Sequence, residues 1–146
     1  MELPKIILIP LVAGLVAQLA KVMVEAAKTG RFDLRLLNTY GGMPSSHTAL
    51  VTSLTTVVGI VEGIYSAAFA IAAIFSFIIV RDAIGFRMYL GEHAGILNRL
   101  INELPAKEKP KFPHHIIERI GHTPLEAVVG ALVGLATTLI LWLLLP

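Results

Sequence analysis

The stretch GHTPLEAVVGALVGLATTLILWLLL, Gly121–Leu145, decides the fold. From Pro124 to Leu145 its only ionisable residue is Glu126. A bilayer core of about 30 Å needs about 20 apolar helical residues to cross it, so this segment reads as a transmembrane helix. Thr123 and Glu126 form a capping box at its start, and Pro124 suits the first helical position. Gly130 and Gly134 make a small-xxx-small face on which a neighbouring helix packs closely.

Working outward, three more apolar segments stand out. The first is Ile6–Ala27, interrupted by Gln18, Lys21 and Glu25. The second runs from about His47 to Val61, and the third from Ser66 to Val80 with a continuation toward Leu90. The second and third are short for a bilayer, but the brief Glu62–Tyr65 connection joins them as a helical hairpin. The polar stretch Glu92–Gly121 then predicts an interfacial helix near Ala94–Leu104, a loop carrying Lys107, Lys109 and Lys111 among prolines, and a short turn. The expected fold is an all-α membrane protein. It is a bundle of about four transmembrane helices, with a short interfacial helix between the third and fourth, in one domain over residues 1–146.

Composition agrees. Of 146 residues, 55% are hydrophobic and 15% charged, against about a quarter charged in soluble domains. Mean hydropathy is +0.77. The absence of cysteine excludes disulfides and thiol chemistry. The pI near 9.1 accompanies a net charge of only +2, and no segment resembles a nucleic-acid-binding module, so no nucleic acid partner is expected. Met1–Ala17 could pass for a signal peptide, but without a clear small-x-small cleavage site it reads as the first half of a retained helix.

Charge sets the expected topology. Ten of the twelve Lys and Arg residues fall in the segments 28–46 and 81–121, which share one side of a four-span chain. Positive residues mark the cytoplasmic face. Both termini are therefore expected outside an inner (plasma) membrane, with Tyr65 and Trp142 near the outer interface.

The polar residues gather on the same side. Gln18, Lys21, Glu25 and Lys28 share one helical face, and an ionisable residue inside a span is a functional candidate by default; the plainer alternative is a Lys21–Glu25 pair with snorkelling ends. Arg31 and Arg35 could reach an anion or simply touch headgroups. Asp82 needs a partner, Arg87 or Lys21, and that pair could be structural or catalytic. His122 and Glu126 are four apart, so the carboxylate could orient the imidazole, though the same carboxylate belongs to the capping box. His114 and His115 lack the spaced carboxylates or cysteines of a metal site, and no metal is expected. The run GGMPSSHT, Gly41–Thr48, has glycines that allow close backbone approach and serines ahead of a helix. It is either a cap after a loop or, with the helix N-terminus, an anion site.

Together, Lys21, Pro44-Ser45-Ser46-His47 and His122-x-x-x-Glu126 resemble the signature motifs of the type 2 phosphatidic acid phosphatase superfamily, which includes vanadium haloperoxidases. The closer resemblance is to its small divergent membrane branch. It is carried by Gln18–Lys21, GGMPSSHTA (41–49), Asp82-Ala83-x-Gly85-x-Arg87, Gly91, Leu97-Asn98 and GHTPLE (121–126), which span most of the chain.

The resemblance implies a cofactor-free and metal-free phosphatase acting through a phosphohistidine. It makes His122 the nucleophile, Glu126 its orienting carboxylate and His47 the acid. The implied phosphate ligands are Lys21, Ser45, Ser46, Arg87, Gly42 and Arg31, with Asp82, Gln18 and His93 in support. The implied substrate is a lipid phosphate or pyrophosphate, isoprenoid or phospholipid, met at the bilayer. With four short spans, pairing with a second copy is a further expectation.

The motifs depart from the family's pattern. Positions 28 and 29 are Lys and Thr where the family has Arg-Pro, Ser46 replaces a glycine, and position 116 is Ile where the family has Arg. Arg87 and His93 keep that Arg-to-His spacing, but Leu97 then stands where the carboxylate should, so His93 is a rival to His122. Two other classes stay open: a membrane protein that binds anions or lipids without turnover, and a helical subunit that packs on partners through Gly130 and Gly134.

Overall fold

The computed structural model describes Glu2–Gly30, Phe32 and Gly41–Leu145. The expected loop arginines 31 and 35 lie outside these residues. The described residues form five α-helices: α1 (Glu2–Thr29), α2 (Ser46–Val61), α3 (Ala67–Ile84), α4 (Phe86–Glu103) and α5 (Pro124–Leu144). No strand occurs among them. The chain is an all-α membrane bundle: α1, α5 and the nearly continuous α3–α4 stretch are long and apolar enough to cross a bilayer, while α2 is shorter.

The shortest apolar helix sits at the centre. α2 packs against α1, α3 and α5, and α1 also touches α5. Its 16 residues fall short of the usual span, but its neighbours cover it. Val57 and Ala49 are fully buried, whereas α1, α3 and α5 expose rows of Leu, Ile and Phe, as surfaces in contact with lipid tails do.

In lipid, apolar burial gives helices little reason to associate, and close packing takes over. The sequence supplies it between α2 and α5. A Cβ on Gly130 would collide with the Ser45 carbonyl, and one on Gly134 with the Ala49 carbonyl. One turn further, the Ser53 and Thr138 hydroxyls are 2.6 Å apart in a fully buried position. The pairs 45/130, 49/134 and 53/138 advance together, so α2 and α5 run parallel and in register. Their N-termini open at the same end of the bundle. On the other side of α2, the Thr55 and Ser76 hydroxyls are 2.7 Å apart, and Ser76 donates to the Val51 carbonyl at 2.9 Å.

α1 runs antiparallel to this pair. Lys5, near its start, lies 5.0 Å from the Trp142 ring centroid and 3.4 Å from the Leu145 carbonyl. Lys5, Trp142 and the α2–α3 turn with exposed Tyr65 therefore occupy the end opposite the two N-termini.

The interfacial helix begins earlier and is longer than Ala94–Leu104. Gly85 breaks the helix with its N–H bonded to the Arg81 carbonyl, and α4 starts at Phe86. Its buried face is Gly91, Ala94 and Asn98, at helical spacings of three and four. The returning segment 116–121 lies on that face. A Cβ on Gly121 would lie 2.6 Å from the Met88 N, and one on Gly91 would collide with the Glu118 carbonyl. Asn98 donates to the Ile116 carbonyl and to Glu118 Oε1, both at 2.8 Å, and accepts from the Ile116 N–H at 2.9 Å. In place of the expected short turn there is an extended tape pinned along α4. It needs no ladder partner because an amide side chain supplies both a donor and an acceptor.

Candidate functional site

The two N-termini that open together are capped by different means. Ser45 is fully buried; its hydroxyl accepts from the Thr48 N–H at 3.4 Å and from the Thr48 hydroxyl at 3.0 Å. Its own N–H donates to the Glu126 carbonyl at 3.1 Å, which ties the start of α2 to the first turn of α5. Ser45 is thus occupied in the cap. Ser46 and His47 instead line a groove of 350 Å³ between α1 and α2, with Gln18 on the opposite wall.

At the head of α5 the capping box is complete: the Thr123 hydroxyl accepts from the Glu126 N–H at 3.2 Å, and Glu126 Oε2 accepts from the Thr123 N–H at 3.1 Å. The same oxygen lies 3.2 Å from His122 Nδ1. The two roles that the sequence set in competition are both filled, because one carboxylate oxygen can accept two hydrogen bonds. The other oxygen, Oε1, meets Arg119 at 3.4 Å.

His122 is 7% exposed, and its N–H donates to the Ala83 carbonyl at 3.0 Å, which anchors it to the end of α3. Burial holds its imidazole below the ordinary value of about 6.5. The hydrogen bond and charge of Glu126 and the Gly42 backbone oppose that shift, while Lys21 adds to it. The ring is therefore neutral at pH 7. When Nδ1–H donates to the carboxylate, the neutral ring carries its lone pair on Nε2.

Lys21 enters from α1 and is 7% exposed. A Cβ on Gly42 would lie 3.2 Å from Lys21 Cε, and Gly42 has φ +90°, so glycine is required there for conformation as well as for space. The charges of Arg119, Glu126 and Glu25 act on Lys21. Arg87 meets Asp82 at 2.5 Å across the α3–α4 break, each side chain 35% exposed, so Asp82 has Arg87 as its partner.

These groups share one space. Arg87, His122, Lys21 and Asp82 all lie close enough to His47 to act on it electrostatically. Lys21, His47, Arg87 and His122 come from four different parts of the chain, and two helix N-termini add their positive ends. The family model described as the Divergent PAP2 family matches residues 4–137.

The chain belongs to this family. It is 38% identical over 141 residues, covering 90% of its own length and 89% of the relative's, to the uncharacterized membrane protein YuiD of Bacillus subtilis (strain 168). No solved structure matches it significantly.

Of the residues singled out from the sequence of this divergent PAP2 protein, Lys21, Gly42, His47, Asp82, Arg87, His122 and Glu126 come together, and Gln18 and Ser46 lie on the adjoining groove. His93 does not join them. It is exposed on α4, and the carboxylate it lacks is given to His122. Arg31 is outside the described residues.

Two residues escaped the reading of the sequence. Arg119 leans on Glu126, and its Cγ would lie 2.9 Å from a Cβ on Gly41. The family's arginine was sought six residues before the histidine, whereas Arg119 stands three before it in extended chain. Asn98 was noted only as a matching residue, and nothing in its surroundings signalled the three hydrogen bonds that fix the tape leading to His122.

Proposed function

We propose that this divergent PAP2 protein is a membrane phosphatase that hydrolyses a lipid phosphate or pyrophosphate monoester through a phosphohistidine on His122. The observation that carries this reading is the joint proximity of Lys21, Arg87 and His122 to His47, with Glu126 on His122 Nδ1 at 3.2 Å.

In the proposed reaction, His122 Nε2 attacks phosphorus and the ester P–O bond breaks. The leaving oxygen takes a proton from His47. Water, deprotonated by His47, then attacks the phosphohistidine, releasing phosphate and restoring both rings. Lys21, Arg87 and the two helix N-termini offset the charge that builds on the phosphoryl oxygens. The clustering of ten of the twelve Lys and Arg residues at segments 28–46 and 81–121 supports a site that faces the cytoplasm.

The test is phosphate release from a panel of lipid phosphates in detergent, with His122→Ala and His47→Ala as controls. Loss of release in both variants is the expected result. Wild-type rates in either would refute the assigned role.

A specific observation favours a second reading. Arg87 is already paired with Asp82 at 2.5 Å, and Glu126 serves a cap, a histidine and Arg119. A pocket so internally satisfied could bind an anion without turning it over. Trapping of a phosphohistidine separates the two, since binding without covalent capture belongs to the second.

A further inference from the structure

The groove beside His47 has a direction. Its α1 wall is Leu11, Gly14, Leu15 and Gln18, at steps of three, one and three. That is one stripe of the helix, and it continues through Lys21 into the candidate site. From residue 18 to residue 11 it descends ~10 Å into the bundle's apolar belt. The α2 wall changes from Ser46 and His47 to Leu50 over one turn. Leu11 and Leu15 are 56% and 57% exposed, so the groove opens sideways, toward lipid.

Its depth depends on Gly14. A Cβ there would lie 3.3 Å from Leu50 Cδ1, so Leu50 already packs on the bare glycine, and a larger side chain at 14 would press on Leu50 and fill the groove.

We infer that this groove seats the hydrocarbon chain of a single-chain amphiphilic monophosphate, with Gly14 and Leu50 setting how far the chain enters. The inference rests on the phosphatase reading of the adjoining site. One end of the groove is polar and continuous with the cationic cluster at Lys21, and the other is aliphatic and open to the bilayer. An occupant with an anionic head and an apolar tail satisfies both ends at once. Because the bilayer is as apolar as the groove, the gain is positional: the tail's place fixes where the phosphate sits relative to His122.

The test has two arms. In the first, hexadecyl monophosphate bearing a diazirine at the far end of its chain is photo-crosslinked to the His122→Ala protein in phosphatidylcholine micelles. Crosslinks are expected on the Leu11–Leu15 and Leu50 segments. Excess hexadecyl phosphate should displace them and hexadecanol should not. In the second, Gly14→Leu should lower the ratio of kcat/KM for hexadecyl over butyl phosphate by about tenfold or more.

Crosslinks elsewhere, or equal competition by hexadecanol, overturn the groove assignment whatever the activity of the wild type. A wild type that releases no phosphate yet crosslinks as expected refutes the phosphatase and keeps the groove.

Discussion

Glu126 Oε2 lies 3.2 Å from His122 Nδ1 and 3.1 Å from the Thr123 N–H, so one oxygen both starts a membrane helix and orients an imidazole. Glu126→Gln separates the two functions. Glutamine serves a capping box as well as glutamate does, but it carries no charge to stabilise the imidazolium. We expect kcat to fall by roughly 10²-fold with little change in thermal midpoint. A large loss of stability with preserved kcat would mean that the carboxylate acts only as a cap.

The pH profile follows from the depressed His122 value. Burial favours the neutral ring, so the proposed nucleophile is lost only when pH falls through a folded-state value below about 6.5. The acid limb of kcat/KM should therefore have its midpoint below that of a free histidine. Glu126 opposes the shift, so Glu126→Gln should move the limb to still lower pH. In stability the sign is the same. The unfolded chain binds the proton first, so this group destabilises the fold as pH drops below about 6.5 and has no effect well above it. A limb midpoint above 6.5 would contradict the assignment.

Asn98→Ala should loosen the tape that carries His122. It strands the Ile116 N–H and carbonyl, at a cost of about 1–3 kcal/mol, visible in thermal unfolding. Asn98→Asp keeps the acceptor for the Ile116 N–H but sets a carboxylate against Glu118, and should be at least as damaging. Wild-type stability in both would show that the tape is held by Gly91 and Gly121 alone.

Orientation is tested by labelling. Lys109→Cys in this cysteine-free chain should react with a membrane-impermeant thiol reagent only after the cytoplasmic face is exposed. Labelling of intact cells from outside would reverse the topology.

The membrane helices were legible because they depend on length and composition: α5 ends within a residue of its expected boundary, and α2 begins one residue before His47. The convergence of Lys21, His47 and His122 was legible through their resemblance to the family's signature motifs. What stayed hidden depends on contacts between distant residues. Gly85 gave no sign that it would end α3 and start α4, because a single glycine in a helical run is often tolerated. Arg119 and Asn98 act through an extended segment whose path is set by α4, so no local period reveals them. Ser45 read as a phosphate ligand because caps and anion sites use the same residue types, and only its full burial separates the two.

The parallel pairing of α2 and α5 acts as a gauge. Carbonyls of α2 drop into notches at Gly130 and Gly134, which recur every four residues, so the helices can sit only in discrete settings about 6 Å apart. His47 and His122 stand at the tops of these two helices. Their separation is indexed by the buried glycines Gly130 and Gly134 rather than by any contact between the two rings. A substitution that widens a notch would shift the two imidazoles out of alignment without touching either of them.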